Sequence, residues 1–173
     1  WDKRVALKAG GNTKRYTCNG WIDTSDIHEN NIRRILSSCA GKIVYQGGKW
    51  RVYVGTARSA TYSRNEDHFV GKVSYKPKKK YRSKMNCVRG LYTDPDQNYK
   101  NVDYPVIKVP AYITEDGGQE IWGDFNLPMT NHPAMAQRLS KIYLGEGRMA
   151  RKVSVTTTPI GLKDQAMDAV YVD

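Results

Sequence analysis

The sequence predicts an α+β protein: β-rich lobes with two amphipathic helices packed on antiparallel or mixed sheets. Three observations predict it. Apolar residues recur at helical spacing over about 26 to 40, they do so again over about 133 to 144, and β-branched and aromatic residues flank the pair Gly47-Gly48. The 173 residues suffice for one domain or two small lobes with a real core, and 12 tyrosines and 4 tryptophans describe a folded chain.

Taken in order, residues 14 to 22 alternate polar with larger side chains around Tyr16, Cys18 and Ile22, the period of a half-buried strand. The first helix follows. Thr24, Ser25 and Asp26 offer capping oxygens, Glu29 stands three residues after Asp26, Ile32, Ile35, Leu36 and Cys39 form the stripe, and Gly41 ends it. Lys42 to Gln46 and Trp50 to Val54 read as a hairpin, because Gly47-Gly48 supplies the positive φ of a tight turn. Strand, helix and hairpin together make a β-α-β-β unit.

Residues 56 to 67 read as a polar loop or arm and Val70 to Tyr75 as a strand. The run Lys76-Pro77-Lys78-Lys79-Lys80 cannot be a central strand, since Pro77 lacks an amide donor. A strand is predicted between Tyr81 and Tyr92 with Met85, Cys87 and Val88 apolar, ended by a turn at Asp94-Pro95-Asp96. Pro105 and Pro110 make Tyr99 to Ala111 an edge strand or extended connector. Glu115 to Gly118 is a turn, Gln119 to Leu127 a strand. The second helix begins near Asn131-His132-Pro133, with proline tolerated in its first turn, and runs through Met135, Leu139, Ile142 and Tyr143 to Gly145. Val153 to Thr158 and Ala169 to Val172 close the chain as strands. Two sub-units are expected, a β-α-β-β lobe at 12–76 and a β-rich lobe with one helix at 77–173.

Chemistry is sparse. His28 and His132 fall in the first turns of helices and His68 in a loop, without metal-ligand spacing; the pairs Asp94/Asp96 and Glu115/Asp116 sit in turns where carboxylates cap amides. No hydrolase elbow, phosphate loop or dinucleotide fingerprint occurs, so no catalytic residue, metal or cofactor is expected. Cys18, Cys39 and Cys87 are widely spaced and read as buried free thiols made in a reducing cytoplasm.

The net charge of +11 is unevenly divided. Residues 1 to 90 hold 20 Lys+Arg against 6 Asp+Glu (+14), and residues 91 to 173 hold 8 against 11 (−3). Lys76, Lys78, Lys79, Lys80, Arg82 and Lys84 form the candidate interaction patch, read as a solvated loop or a protein-facing surface. With Tyr75, Tyr81 and Tyr92 nearby, a basic nucleic-acid-binding module is the rival reading, although no element for reading base edges is evident. No run approaches the roughly 20 apolar residues a membrane helix needs.

An ordered series of motifs adds to this. Arg15-Tyr16-Thr17-Cys18-Asn19-Gly20, Ala40-Gly41-Lys42-Ile43-Val44-Tyr45, Gly47-Gly48-Lys49-Trp50, Val88-Arg89-Gly90, Asp94-Pro95, Tyr104-Pro105, Asp116-Gly117-Gly118, Leu127-Pro128 and Ala136-Gln137-Arg138-Leu139 stand in one order. That order resembles the central part of bacteriophage tail-tip proteins of the host-specificity J type, over roughly residues 12 to 173. The resemblance implies an internal fragment of a larger tail protein, which the start at Trp1 also leads one to expect. It implies a structural part of the tail tip or hub of a phage or prophage, made in the bacterial cytoplasm, located in the virion tail, contacting other tail proteins and contributing indirectly to host attachment. It implies a homotrimer in the full-length protein, whereas the fragment alone is expected to be monomeric, and it brings no catalytic residues. A glycan-binding or hydrolytic tail domain is the third reading.

Thiol titration of denatured protein purified without reductant is expected to find the three thiols of Cys18, Cys39 and Cys87, and a lower number would reveal a disulfide.

Overall fold

The computed structural model describes residues 4–7, 11–55, 59–60, 62–76, 84–149 and 151–172. It is an α+β fold built from small antiparallel and mixed sheets. Strands β1 (Arg4–Ala6) and β2 (Asn12–Lys14) pair antiparallel and precede α1 (His28–Ser37). The hairpin β3 (Lys42–Gln46) and β4 (Lys49–Tyr53) follows as predicted, with Gly47 and Gly48 at φ of 60° and 75°, values that side chains with a Cβ rarely adopt. Next come β5 (Tyr62–Arg64) and β6 (Phe69–Lys76).

The middle of the chain holds β7 (Cys87–Arg89), β8 (Leu91–Asp94), β9 (Lys100–Asp103), β10 (Ile107–Lys108), α2 (Pro110–Glu115), β11 (Trp122–Asp124) and α3 (Pro133–Arg148). Strand β7 is central, antiparallel to β10 and parallel to β11. Between β7 and β8 the chain passes so close to Phe125 that a Cβ on Gly90 would meet its carbonyl oxygen, which explains the glycine and divides the single strand predicted there. Finally β12 (Lys152–Thr157) runs antiparallel to β6 and β13 (Val170–Val172) parallel to β5, so both pairings cross the 76/77 division.

The core lies mainly under α3. Tyr92, Tyr104, Leu127, Met135, Ala136 and Leu139 form one buried cluster, with Tyr16, Ala40, Val102 and Phe125 packed against it. His132 caps α3 by accepting from the amide of Ala134 at 3.2 Å, Pro133 occupies the first turn, and the helix continues past Gly145 to Arg148.

Several expectations are corrected. Residues 16 to 20 form no strand: the Thr17 amide donates to Met135 Sδ at 3.2 Å and the Asn19 amide to the Met129 carbonyl at 3.0 Å, so side chains and single bonds hold the segment instead of a ladder. Helix α1 is shorter than predicted and no side chain caps it. Asp26 accepts instead from the Ile27 amide and Asn30, and Glu29 pairs with Arg33 at 2.6 Å. Its stripe is only partly covered, with Leu36 and Cys39 half-buried. Ile32 and Ile35 are 40% and 37% exposed, because α1 turns Asn31 to the interior and Ser38, just past its end and seven residues on, follows on the same face. Helix α2, starting at Pro110, replaces part of the extended connector expected there. Among the described residues no helix is long and apolar enough to cross a membrane.

Leu139 is fully buried, so Leu139→Ala is expected to lower unfolding free energy by about 2 to 5 kcal/mol in urea titration. Ile35→Ala, on the outward face of α1, is expected to stay within about 1 kcal/mol.

Candidate functional site

The two described residues of the predicted basic patch lie in different settings. Lys76 ends β6 on the surface, whereas Lys84 is drawn inward, its Nζ 3.6 Å from Asp116 Oδ1. Lys78, Lys79, Lys80 and Arg82 lie outside the described residues. The pairing of β6 with β12 sets Lys152 directly opposite Lys76, a neighbour 76 residues away that local sequence could not reveal.

Asp116 is the surprise among the carboxylates, because it does not cap a turn in water. It is 5% exposed and accepts from Asn86 Nδ2 at 3.1 Å and Arg148 Nη1 at 2.5 Å, while Arg148 Nη2 reaches Glu115 at 2.5 Å. Burial pushes the Asp116 carboxyl up, but the hydrogen bonds from Asn86 and Arg148 and the charges of Arg148 and Lys84 together outweigh it and hold its pKa below the usual value. Asn86 is itself fully buried, with its Oδ1 accepting from the Ile121 amide and its Nδ2 also donating to the Gln119 carbonyl. This polar knot anchors structure. Asp94 behaves as predicted, accepting from the Asp96 amide at 3.1 Å.

The histidines serve local geometry. His132 caps α3, His68 Nδ1 accepts from the Asn65 amide at 3.2 Å, and His28 opens α1. Among the described residues no group of three His, Cys, Asp or Glu side chains is placed to hold a metal ion. All three cysteines are free thiols, and burial raises the pKa of Cys39 and Cys87; Cys18 is exposed, contrary to expectation, and the half-buried strand expected to contain it does not form.

What the fold does assemble is apolar surface. Across β3–β4, Ile43 lies opposite Val52 and Tyr45 opposite Trp50, so these four side chains share one face. Tyr45, Trp50 and Val52 are 59%, 68% and 57% exposed, with the two rings 4.9 Å apart. The opposite face is covered: Gln46 donates to the Asp164 carbonyl and accepts from the Ala166 amide, and Arg51 bonds Gln165. Trp50 and Ile43 also line an open groove of about 1040 Å³ with Ile32, Leu36, Leu139 and Tyr143, joining the hairpin to the outward face of α1. Sequence reasoning recognises the hairpin but not that its aromatic face is left bare.

Compared with known proteins, the chain matches no protein-family model and no curated protein.

Asp116→Ala takes the buried carboxylate from Arg148, which is about nine-tenths buried and keeps only the exposed Glu115, and is expected to cost about 3 kcal/mol. Because the carboxyl's folded pKa is depressed, its contribution is complete above the ordinary carboxylate pKa near 3.8 and disappears as pH falls through the lower folded value. Asp116→Asn should therefore flatten the acid limb of stability against pH, read from urea midpoints between neutrality and acid.

Proposed function

We propose that this chain is a contact module of a larger assembly, acting through geometry and surface rather than turnover, and that the assembly is the tail tip or hub of a bacteriophage or prophage. The observation that carries the contact reading is the outward face of β3–β4. A tilted Tyr45–Trp50 pair beside Ile43 and Val52 continues into an apolar groove, and contiguous exposed apolar surface rimmed by charge is the composition of a protein-binding site. Sugar recognition fits this face less well. Across the pairing, two aliphatic side chains, Ile43 and Val52, stand beside the rings, whereas a sugar needs hydrogen-bonding partners around its hydroxyls.

The specific assembly rests on the ordered series of motifs that resembles the J-type tail proteins. In this reading the chain is part of a protein that trimerises in the virion tail and meets other tail proteins there. Tyr and Trp are suited to that work, since they bury large rigid areas at small entropic cost.

Trp50→Glu in the parent protein tests the reading. A central interfacial Trp contributes about 2 kcal/mol or more, so the variant is expected to lose roughly thirtyfold in assembly, read by native mass spectrometry and by infectivity of virions carrying it. Its circular dichroism and unfolding midpoint should match the parent, because the side chain is 68% exposed. Normal assembly and infectivity would overturn the proposal.

A further inference from the structure

We propose that the basic face of the β6–β12 ribbon binds the phosphodiester backbone of a nucleic-acid duplex without sequence preference, a property independent of the hairpin surface proposed above. Side chains two apart along a strand, and those directly opposite across a pair, share one face. Lys76 faces Lys152 and Ser74 faces Ser154, so one face collects Ser74, Lys76, Lys152 and Ser154, and Lys72 lies beside them at the register shift. All five are exposed. Tyr75 and Val153, opposite one another, occupy the other face.

The arrangement is costly for the protein alone. Like charges directly opposite on a ribbon repel, and Lys76 and Lys152 are such a pair. Relief is not available nearby: neither residues 69 to 93 nor residues 147 to 163 contain an aspartate or glutamate, and among the described residues Lys72, Lys76 and Lys152 join no ion pair. An anion lying between the lysines removes the repulsion.

The kind of anion follows from the other side chains. Lysine and serine are residues that contact phosphate oxygens, and the face offers nothing that could serve as the apolar centre of a protein interface along its Lys72–Lys76 stretch. A bilayer fits poorly. Laid with lysines on the headgroups, the ribbon would lift Tyr75 and Val153 away from the lipid, and laid the other way it would turn Lys76 and Lys152 from the phosphates. A duplex needs only the basic face. Two strands spaced about 5 Å apart enter a major groove about 12 Å wide, and the register shift between Ser154 and Thr156, near Gly71 at φ 81°, adds the local bend and twist that a bulge brings.

The test is fluorescence anisotropy of a labelled duplex of about 20 base pairs, titrated with the chain at several salt concentrations between about 50 and 200 mM. Binding is expected at the lowest salt. The triple variant Lys72→Gln/Lys76→Gln/Lys152→Gln is expected to weaken it at least tenfold and to reduce the slope of log affinity against log salt by about 2.7, or about 0.9 for each lysine that no longer neutralises a phosphate. A charge-matched control, Lys14→Gln/Lys49→Gln/Lys100→Gln, removes exposed lysines elsewhere and should change the slope by less than about 1. Matching unfolding midpoints in both variants make the comparison fair. Equal weakening in variant and control would overturn the proposal in favour of diffuse net charge. No binding at the lowest salt, or tighter cosedimentation with phosphatidylserine vesicles than with duplex, would also overturn it.

Discussion

The middle of the molecule depends on a single buried amide. Asn86 is fully enclosed, and its side chain bonds the end of α2 through Asp116, the Gln119 carbonyl and the Ile121 amide that leads into β11, while its backbone carbonyl accepts from Val109 at the start of α2. Asp116 then carries the connection to Arg148 at the end of α3, whose guanidinium also lies over the Tyr112 ring. A buried amide tolerates very few alternative partners, because each unpaired group costs a large part of its desolvation energy. The knot thereby fixes where β7, β11, α2 and α3 meet.

Around it the distribution of apolar residues is lopsided. Among the described residues, every buried hydrophobic residue of the core except Tyr53 lies between Cys87 and Leu144, whereas Trp21, Ile22, Ile27, Tyr45, Trp50 and Val52 in the first third are all more than half exposed. The middle therefore stabilises itself by burial. The first third is held by its turns, by Tyr16 bonded to the Gly55 carbonyl at 2.8 Å, and by polar bonds such as those from Gln46 to the 164–166 segment.

Which parts are legible in the sequence follows from the range of the interactions that make them. The β3–β4 hairpin depends on Gly47-Gly48 and its immediate flanks, and α3 on a stripe and cap within sixteen residues, so both can be read. Residues 16 to 20 alternate like a strand, yet Tyr16 and Thr17 reach across to Gly55 and Met135, partners far along the chain. Helix α2 has six residues, too few for a periodic signal. Asp116 reads as a turn residue until Arg148, thirty-two residues later, is placed beside it. Among the described residues of the basic patch, Lys76 stands on an exposed element as expected, whereas Lys84 turns to Asp116, and Lys152 comes beside Lys76 by long-range pairing. The outward face of α1 escapes the sequence for a related reason: amphipathic spacing marks an apolar face but not what covers it.

The antiparallel pairing of Lys76 with Lys152 has one more consequence. The chain enters the core-bearing middle and leaves it again at points that are neighbours across a two-stranded ribbon. A segment whose two ends meet is a cassette: it can be lengthened, exchanged or replaced by a short turn while the flanking strands keep their path, which is where natural chains accept whole inserted domains. Tyr16 and Ala40 packed on the central cluster, Thr17 on Met135 and Lys42 paired with Glu146 bind this cassette to the first third, and those positions would have to adapt with whatever took its place.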